Sequence, residues 1–397
     1  MEGTLGLQRA VGFEHLGYGT FGYNLELGLK KLGQKYRLTK WEEQSDDPWI
    51  VSAGMPSYGR GRFENQWVSC FTMWEAESVP PMFSHKLHNY DVVFVPNDDN
   101  MSVFGPHCRS LVKVPLGYDS DFWTPKARTL DSEFRVLFCG AGATEKTRKG
   151  PDLAIGAFEA AFPDWRKMDP QPKLVIKCLK YPPNQTDFME VHVGQWPVEK
   201  LRELYYSCHA MLLPSRGEGW GYHPQQFVAT GAPAIVSAIP GHMEYAAEAS
   251  GFLCAPVHKV AAPRFVHGEV GRWWEADIDD LADMLRMVYG GYDHFTNCAL
   301  TGADTLKNEF SELAMAQQVL DVLPVEQKVG SVWQPFTEVE YRVIPTRNLD
   351  RSTCNINGVG YNLAEGQEYW LPAHVVDVLE NAGYRANLGE DVGRMPA

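Results

Sequence analysis

Residues 210–237, AMLLPSRGEGWGYHPQQFVATGAPAIVS, contain two short apolar runs that are separated by a glycine-rich loop and a helical segment. The runs 211–213 and 234–237 are predicted to be buried strands. Pro224 and Gly231 mark the predicted ends of the helix, because proline suits the first helical position and glycine the residue after the last. The predicted order is therefore strand, loop, helix, strand.

The loop of this stretch carries Gly217, Gly219 and Gly221 around one carboxylate, Glu218. A loop that leaves the carboxyl end of a strand and opens a helix presents free backbone N–H groups and the positive end of the helix dipole, which together bind anions. A carboxylate at such a place predicts a ligand that carries both hydroxyl groups and phosphate. The alternative is a tight strand-to-helix turn whose glutamate is solvated.

Length and composition restrict the class of protein. The chain has 397 residues, of which 44% are apolar and 22% are charged, and these values are typical of a soluble globular protein with two or three domains. The net charge of −14 argues against a general binder of nucleic acids or anionic membranes, because such proteins use a basic surface to gain affinity. A local basic groove is still compatible with it. The eight cysteines are dispersed, with no C-x-x-C pair, and are interpreted as reduced apolar residues.

The N-terminus has no basic segment followed by an apolar run, and no apolar stretch reaches membrane length. We therefore expect a cytoplasmic protein.

Residues 1–124 alternate short apolar runs with helical segments, which predicts a parallel sheet covered by helices. The predicted strands are 5–13, 49–53, 67–73, 91–95 and 111–115, and the predicted helices are 21–32 and 82–88. GYGT, at 17–20, lies between the first strand and the first helix, where glycines suit the approach of a phosphate. A plain turn explains these glycines equally well.

Residues 72–75, TMWE, follow a predicted strand at the carboxyl edge of the sheet, where ligands bind in open α/β folds. Trp74 and Glu75 are therefore candidate acceptor-site residues, with a packed tryptophan and a surface carboxylate as the alternative. His85 and His88 have the spacing of a metal-binding pair. Since the sequence offers no third ligand, we interpret them as helix histidines.

The proline-bearing segment 116–133 is interpreted as a linker to a second α/β unit, which leads into 210–237. The strands predicted in this unit are 135–139, 174–178 and 191–193, and the helices are 151–162 and 198–207. The loop after its first strand, GAGATEKTRKG, contains Gly142 but lacks the third glycine of a dinucleotide motif and the G-K-[ST] of a Walker A loop.

The same loop ends in Lys146, Arg148 and Lys149, directly before a predicted helix. Cations are repelled by the positive end of the helix dipole, so their concentration here predicts a diphosphate ligand. The alternative is a solvated basic loop.

The pattern of residues 277–323 is helical, and residues 339–397 are interpreted as a small module with strands at 340–344 and 369–371 and a helix from Pro372 to Gly383. The predicted domains are 1–124, 125–323 and 324–397.

In this order, the stretches resemble glycosyltransferase family 4 and its relatives. The motifs that carry the resemblance are GYGT (17–20), TMWE (72–75), VKVPLGYDSDFWTP (112–125), RKGPDLAIGAF (148–158) and PSRGEGWGYHPQQFVATGAPAIVS (214–237). The resemblance covers residues 1–323 and implies the GT-B fold: two facing Rossmann-like α/β domains with parallel sheets, here an acceptor domain and a donor domain, to which 324–397 adds a small β-plus-α module.

The resemblance also implies roles for individual residues. Glu218 matches the first glutamate of the family's E-x7-E signature, near the donor sugar, and Gln226 stands where a second glutamate binds the ribose. Lys149 matches the phosphate-binding lysine, whereas Ala143 stands where an arginine is usual, with Arg148 or Lys146 as substitutes. The predicted catalytic residues are Glu218, Lys149 and Arg148; the predicted donor-binding residues are Gly17, Gly19, Gly142, Lys149, Gly219, Trp220, Gly221, Tyr222 and Gln226; and the predicted acceptor-binding residues are Trp74, Glu75 and Tyr18.

The implied activity is transfer of a sugar from a nucleotide-diphosphate donor to an acceptor hydroxyl with retention of configuration, with no metal and no further cofactor. A protein or carbohydrate acceptor is preferred. The alternative is a hydroxymethylated DNA base of a phage, because the C-terminal module loosely resembles appended modules of phage proteins; such a base would have to be flipped into the cleft. A phage-encoded enzyme would act in the host cytoplasm. A hypothesis of another class is a non-catalytic nucleotide-sugar or glycan binding protein on a degenerate GT-B scaffold.

Overall fold

The computed structural model describes residues 3–11, 17–140, 148–179, 185–262 and 271–338, and in the C-terminal part residues 341–345, 353–356, 359–362 and 368–381. The predicted site residues Gly142, Ala143 and Lys146 lie outside these residues. Among the described residues, no helix is both long and apolar enough to cross a membrane.

The first domain is built on a six-stranded, fully parallel sheet. Its elements in chain order are β1 (Leu5–Arg9), α1 (Gly17–Lys31), β2 (Tyr36–Thr39), β3 (Trp49–Ala53), β4 (Gly61–Phe63), β5 (Trp67–Phe71), α2 (Pro81–Ser84), β6 (Val92–Val95), α3 (Asp98–Phe104) and β7 (Leu111–Lys113). The strand order is β2-β1-β3-β5-β6-β7, and β4 lies outside this sheet.

Both faces of this sheet are covered, because neighbouring residues of its strands belong to different apolar clusters. Phe71 and Phe94 are buried in the cluster that contains Phe21 of α1, whereas Cys70 and Val93 are buried with the side chains of α2 and α3. Side chains alternate along a strand, so an apolar run without alternation is what a sheet with two covered faces requires.

All five strands predicted in this domain are present, β1 ending earlier than predicted. The structure corrects the prediction for residues 17–20, which form the first turn of α1 and not a loop before it. The hydroxyl of Tyr18 fixes this turn, because it donates a hydrogen bond to the Met73 carbonyl oxygen at 2.7 Å.

The second domain repeats the architecture. Its elements are β8 (Glu133–Cys139), α4 (Pro151–Ala161), β9 (Gln171–Cys178), β10 (Met189–Val193), α5 (Val198–Tyr206), β11 (Ala210–Leu213), α6 (Tyr222–Ala229), β12 (Ala234–Ser237), α7 (Pro240–Ala246), β13 (Phe252–Ala255), β14 (Val257–Ala261), β15 (Arg272–Ala276), α8 (Ile278–Gly290), α9 (Tyr292–Glu309) and α10 (Glu312–Val322). The sheet order is β10-β9-β8-β11-β12-β13, all pairs being parallel, and β14 and β15 form a separate antiparallel pair.

Helix α10 follows the helices of the second domain in sequence but packs on α1 of the first domain. A Cβ atom at Gly28 of α1 would overlap the carbonyl oxygen of Glu312, so the two helices approach at backbone distance. The Glu312 side chain is fully buried, pairs with Lys31 and accepts a hydrogen bond from the Ser120 amide at 2.9 Å. The two segments that join the domains lie side by side, because the Tyr118 amide donates to the Phe310 carbonyl oxygen at 3.1 Å.

The C-terminal part begins on the first domain. Strand β16 (Trp333–Pro335) pairs antiparallel with β4, and His88 Nε2 lies 2.9 Å from the Thr337 hydroxyl oxygen. His85 is also near this segment, 3.4 Å from a carboxylate oxygen of Glu338. The remaining elements are β17 (Tyr341–Pro345), β18 (Thr353–Ile356), β19 (Val359–Asn362), β20 (Glu368–Pro372) and α11 (Ala373–Asn381), with β17 paired to β20 and β18 to β19.

We expect the variant Gly28→Ala to lower the free energy of unfolding by about 2 kcal/mol, because its methyl group would force α1 and α10 apart. Urea unfolding followed by circular dichroism measures this. The matched control is Gly290→Ala in α8, where an added Cβ meets open space and stability is expected to be maintained or raised. Equal losses in the two variants would contradict the close packing of α1 on α10.

Candidate active site

A cleft with an empty volume of about 920 Å³, including its opening to solvent, lies between the two domains. It faces the carboxyl ends of the strands in both sheets, because the residues that line it follow β5 in the first domain and β11 in the second. The lining residues are Gly17, Tyr18, Thr20, Met73 and Glu75 on one side and Trp123, Arg148, Lys149, Val198, Leu201, Glu218, Gly219, Trp220, Gly221, Tyr222, His223 and Gln226 on the other.

Glu218 is a buried carboxylate whose two oxygens both have partners. Its Oε1 accepts hydrogen bonds from Lys149 Nζ at 2.5 Å and from Ser215 Oγ at 2.8 Å, and its Oε2 accepts one from Arg148 Nη1 at 3.0 Å. Burial alone would raise the pKa of Glu218, but the charges of Lys149 and Arg148 outweigh burial and lower this pKa below its usual value. The carboxylate is therefore ionised in the folded protein.

Two of the three glycines around Glu218 are required by the close approach of the first domain, and the third by its backbone conformation. A Cβ atom at Gly217 would overlap the Glu75 carbonyl oxygen, and one at Gly219 would overlap the Met73 side chain. Gly221 directly precedes α6 and has φ 96°, a backbone conformation that residues with a Cβ rarely adopt. Gly217 and Gly219 therefore lack side chains because the TMWE segment of the first domain lies directly against them.

Arg148 joins both sides of the cleft. Its Nη1 donates to the Gly217 carbonyl oxygen at 2.7 Å as well as to Glu218, and its Nη2 lies 3.2 Å from Glu75 Oε1. The guanidinium group therefore bridges a carboxylate of each domain.

Arg216 holds the two loops of the second domain together. Its guanidinium group binds both oxygens of Asp152, at 2.9 and 2.6 Å, and Nε binds Glu275 at 2.6 Å. Its amide donates to the Arg148 carbonyl oxygen at 2.6 Å. Sequence reasoning missed this residue, because an arginine next to the glycine loop carries no signal of a partner 64 residues away.

The structure brings most of the predicted site residues together. Of the three residues predicted to be catalytic, Lys149 and Arg148 both contact Glu218, and Gly17, Tyr18 and Glu75 line the opposite side of the cleft.

Two predicted residues lie elsewhere. Gly19 is buried within α1 and is not among the described lining residues. Trp74 is buried in the first domain, where its Nε1 donates to the Ser78 carbonyl oxygen at 2.7 Å and its ring packs on Phe83. The end of β5 thus turns Glu75 toward the cleft and Trp74 into the core.

The start of α6 supplies further lining residues. Gln226 is 5% exposed and lines the cleft, whereas Trp220 Nε1 donates to Gln225 Oε1 at 2.9 Å. The Tyr222 hydroxyl donates to the Gly117 carbonyl oxygen in the segment between the domains, at 3.2 Å. Trp220, Gln225 and Tyr222 therefore also fix the position of α6.

Sequence reasoning also missed two histidines at the site. His223 lines the cleft and its Nδ1 lies 2.7 Å from the Tyr205 hydroxyl oxygen; burial lowers the pKa of His223 to about 4. His242 in α7 is fully buried, with Nδ1 3.0 Å from the Ser237 carbonyl oxygen, and burial lowers its pKa to about 4 as well. Both imidazoles are neutral at physiological pH and leave the charge balance of the cleft to Arg148, Lys149 and the carboxylates.

Among the described residues, no group of three His, Cys, Asp or Glu side chains is arranged to hold a metal ion. The expectation of a reaction without a metal stays a prediction.

Residues 122–263 match the family model described as glycosyl transferases group 1. No curated protein matches the chain by sequence. Solved structures are similar in fold. Sucrose-phosphate synthase (tll1590) from Thermosynechococcus elongatus is 14% identical, with a TM-score of 0.60 over 80% of this chain and 98% of that chain. A glycosyltransferase from Rickettsia africae ESF-5 is 13% identical, with a TM-score of 0.58 over 81% and 98%.

Anabaena Alr3699/HepE, solved in complex with UDP and glucose, is 10% identical, with a TM-score of 0.56 over 81% of this chain and 99% of that chain. At these identities the likenesses show the fold. The predicted α/β GT-B architecture of two facing Rossmann-like domains is confirmed.

We expect Glu218→Gln to lower the free energy of unfolding by about 3 kcal/mol at neutral pH, because it leaves two largely buried cations without their shared carboxylate. Urea unfolding of the ligand-free protein tests this. The control Glu244→Gln removes an ion pair to the more exposed Lys113 and is expected to cost less than about 1 kcal/mol. Equal effects would show that the Glu218 cluster contributes no more than an ordinary ion pair at the surface.

The pKa of His242 predicts a pH dependence of stability. Its pKa is about 4 in the folded protein and 6.5 when unperturbed, so only the unfolded chain takes up a proton as the pH falls below 6.5. Above pH 6.5 this difference in pKa contributes about 3 kcal/mol to the free energy of unfolding, and the contribution is lost as the pH falls to about 4.

The variant His242→Asn retains a donor for the Ser237 carbonyl oxygen but cannot titrate. Urea unfolding across this pH range is expected to show a shallower loss of stability than in the wild type. Parallel curves for the two proteins would rule out a neutral His242.

Proposed function

We propose that this protein is a glycosyltransferase that moves a sugar from a nucleotide-diphosphate donor to an acceptor hydroxyl with retention of configuration. The observation that carries the proposal is the contact of Arg148 and Lys149 with Glu218, in the loop before α6 and inside an interdomain cleft. The match of residues 122–263 to glycosyl transferases group 1 supports it.

The phosphate half of the proposed donor site consists of Arg148, Lys149 and the first backbone N–H groups of α6. Cations and a helix N-terminus together suit a diphosphate, because both stabilise the charge that develops as the diphosphate leaves. Glu218 holds the two cations in place and faces the sugar. Gln226, also in the cleft, is proposed to bond the ribose hydroxyls through its amide.

In the proposed reaction the bond between the anomeric carbon and the diphosphate oxygen breaks while the acceptor oxygen bonds to the same carbon. The departing diphosphate takes the acceptor's proton, so no protein nucleophile or metal is required. The nucleoside diphosphate and the glycosylated acceptor are the products. The contribution of the protein is positioning and fixed charge.

The acceptor is proposed to enter from the first domain and to be a protein or a carbohydrate. Among the described lining residues, Glu75 is the one charged side chain of that domain. A polyanionic acceptor such as DNA would meet a carboxylate there and a protein of net charge −14, which disfavours modified DNA bases.

The test is a screen of UDP-, GDP-, ADP- and dTDP-sugars for release of the nucleoside diphosphate, followed by mass spectrometry of the product. Uridine donors come first, because a protein of the same fold was solved with UDP and glucose. The anomeric proton coupling in the NMR spectrum of the product distinguishes retention from inversion.

We expect Lys149→Ala to lower turnover by about a hundredfold or more, because it removes a cation from the leaving diphosphate. The control Lys167→Ala removes a lysine that is 80% exposed and is expected to leave turnover unchanged. Wild-type turnover in Lys149→Ala would refute its assignment. Nucleotide-sugar binding without any product would favour a binding protein on the same scaffold.

A further inference from the structure

Glu75 belongs to the first domain but forms its ion pair with a residue of the second. Its Oε1 lies 3.2 Å from Arg148 Nη2, and the two side chains are 26% and 27% exposed. The other terminal nitrogen of this guanidinium group, Nη1, donates hydrogen bonds to the Gly217 carbonyl oxygen and to Glu218 Oε2. One edge of Arg148 is therefore fixed within its own domain, and the other edge is turned to the carboxylate across the cleft.

The described lining residues of the cleft carry four charges. Arg148 and Lys149 are positive, and Glu218 and Glu75 are negative. The cluster is therefore neutral with Glu75 in contact and carries a net charge of +1 without it. An anionic ligand gains its full attraction to Arg148 only when Glu75 is displaced, because both bind through charge-assisted hydrogen bonds to the same guanidinium group.

We propose that Glu75 occupies the place of the donor's diphosphate on Arg148 and that donor binding exchanges one for the other. This rests on the proposed function, since the phosphate site is the one assigned there. Glu75 is then free, beside Tyr18 on the first domain, to accept a hydrogen bond from the acceptor hydroxyl. The consequence is an ordered reaction in which the donor binds before the acceptor.

Glu77 provides a matched control two residues away. It pairs with Lys259 and with Arg272 Nε, the latter at 2.8 Å, on β14 and β15 of the second domain. It is not among the described lining residues of the cleft. Loss of Glu77 therefore removes an interdomain ion pair of the same loop without freeing Arg148.

The experiment is calorimetric titration of the wild type, Glu75→Gln and Glu77→Gln with UDP, GDP and ADP at one ionic strength. We expect Glu75→Gln to bind its preferred nucleotide about three- to tenfold more tightly than the wild type, because the competing carboxylate is removed. Glu77→Gln is expected to bind with unchanged or weaker affinity. Glu75→Asp, whose shorter side chain withdraws from Arg148, is also expected to bind the nucleotide more tightly than the wild type. This variant replaces Glu75→Gln in the experiment if Glu75→Gln does not fold.

One contrary result is that the wild type binds the nucleotide as tightly as Glu75→Gln and Glu75→Asp, or more tightly. That result would overturn the exchange of Glu75 for the diphosphate but would leave the proposed donor site in place. If Glu77→Gln bound the nucleotide more tightly to the same extent, the exchange would be overturned too. The gain in affinity would then come from the loss of any interdomain ion pair and not from freeing Arg148. Absence of nucleotide binding in all four proteins would overturn the donor site together with the exchange.

Discussion

A carboxylate that is removed from water needs cations, and this requirement at Glu218 determines how the second domain is arranged around the cleft. The cost of burying such a charge is several kcal/mol in proteins, and here Lys149, Arg148 and Ser215 offset it. Two loops from different strands must therefore meet. Gly150 permits the meeting, because it has φ 68° and a Cβ at this position would overlap the Pro214 carbonyl oxygen.

Most strands of the two sheets and the two charged loops could be predicted from the sequence, because apolar runs without alternation and glycines at strand ends are local signals. The edge strands β2 and β13 were not predicted. The contact of Glu218 with Lys149 was not predicted, since both were interpreted as ligand-binding groups and their 69-residue separation gives no sign of a bond. Trp74 and Glu75 were given the same role, although neighbouring residues at a strand end turn to different sides. The position of α10 depends on which domain covers its apolar face, and helical periodicity does not contain that information.

The C-terminal part is attached to the first domain by packing as well as by strand pairing. Trp333 and Phe336 make edge contacts with Phe63 and Tyr90, at ring-centroid distances of 5.1 Å each. Their approach depends on small residues, since a Cβ at Gly61 would overlap the backbone of β16. Residues 333–338 are therefore attached to the first domain, for which the acceptor site is proposed.

The chain passes between the domains at two places, before β8 and between α9 and α10, and the two passages are bonded to each other through the backbone of Tyr118. Two bodies joined by neighbouring, hydrogen-bonded segments can bend at that junction, but the junction resists sliding of one body along the other and rotation about a single bond. The two bonded passages therefore restrain the position of one domain relative to the other more than a single linker would. This restraint contributes to the alignment of Glu75 with Arg148 across the cleft, where Glu75 Oε1 lies 3.2 Å from Arg148 Nη2.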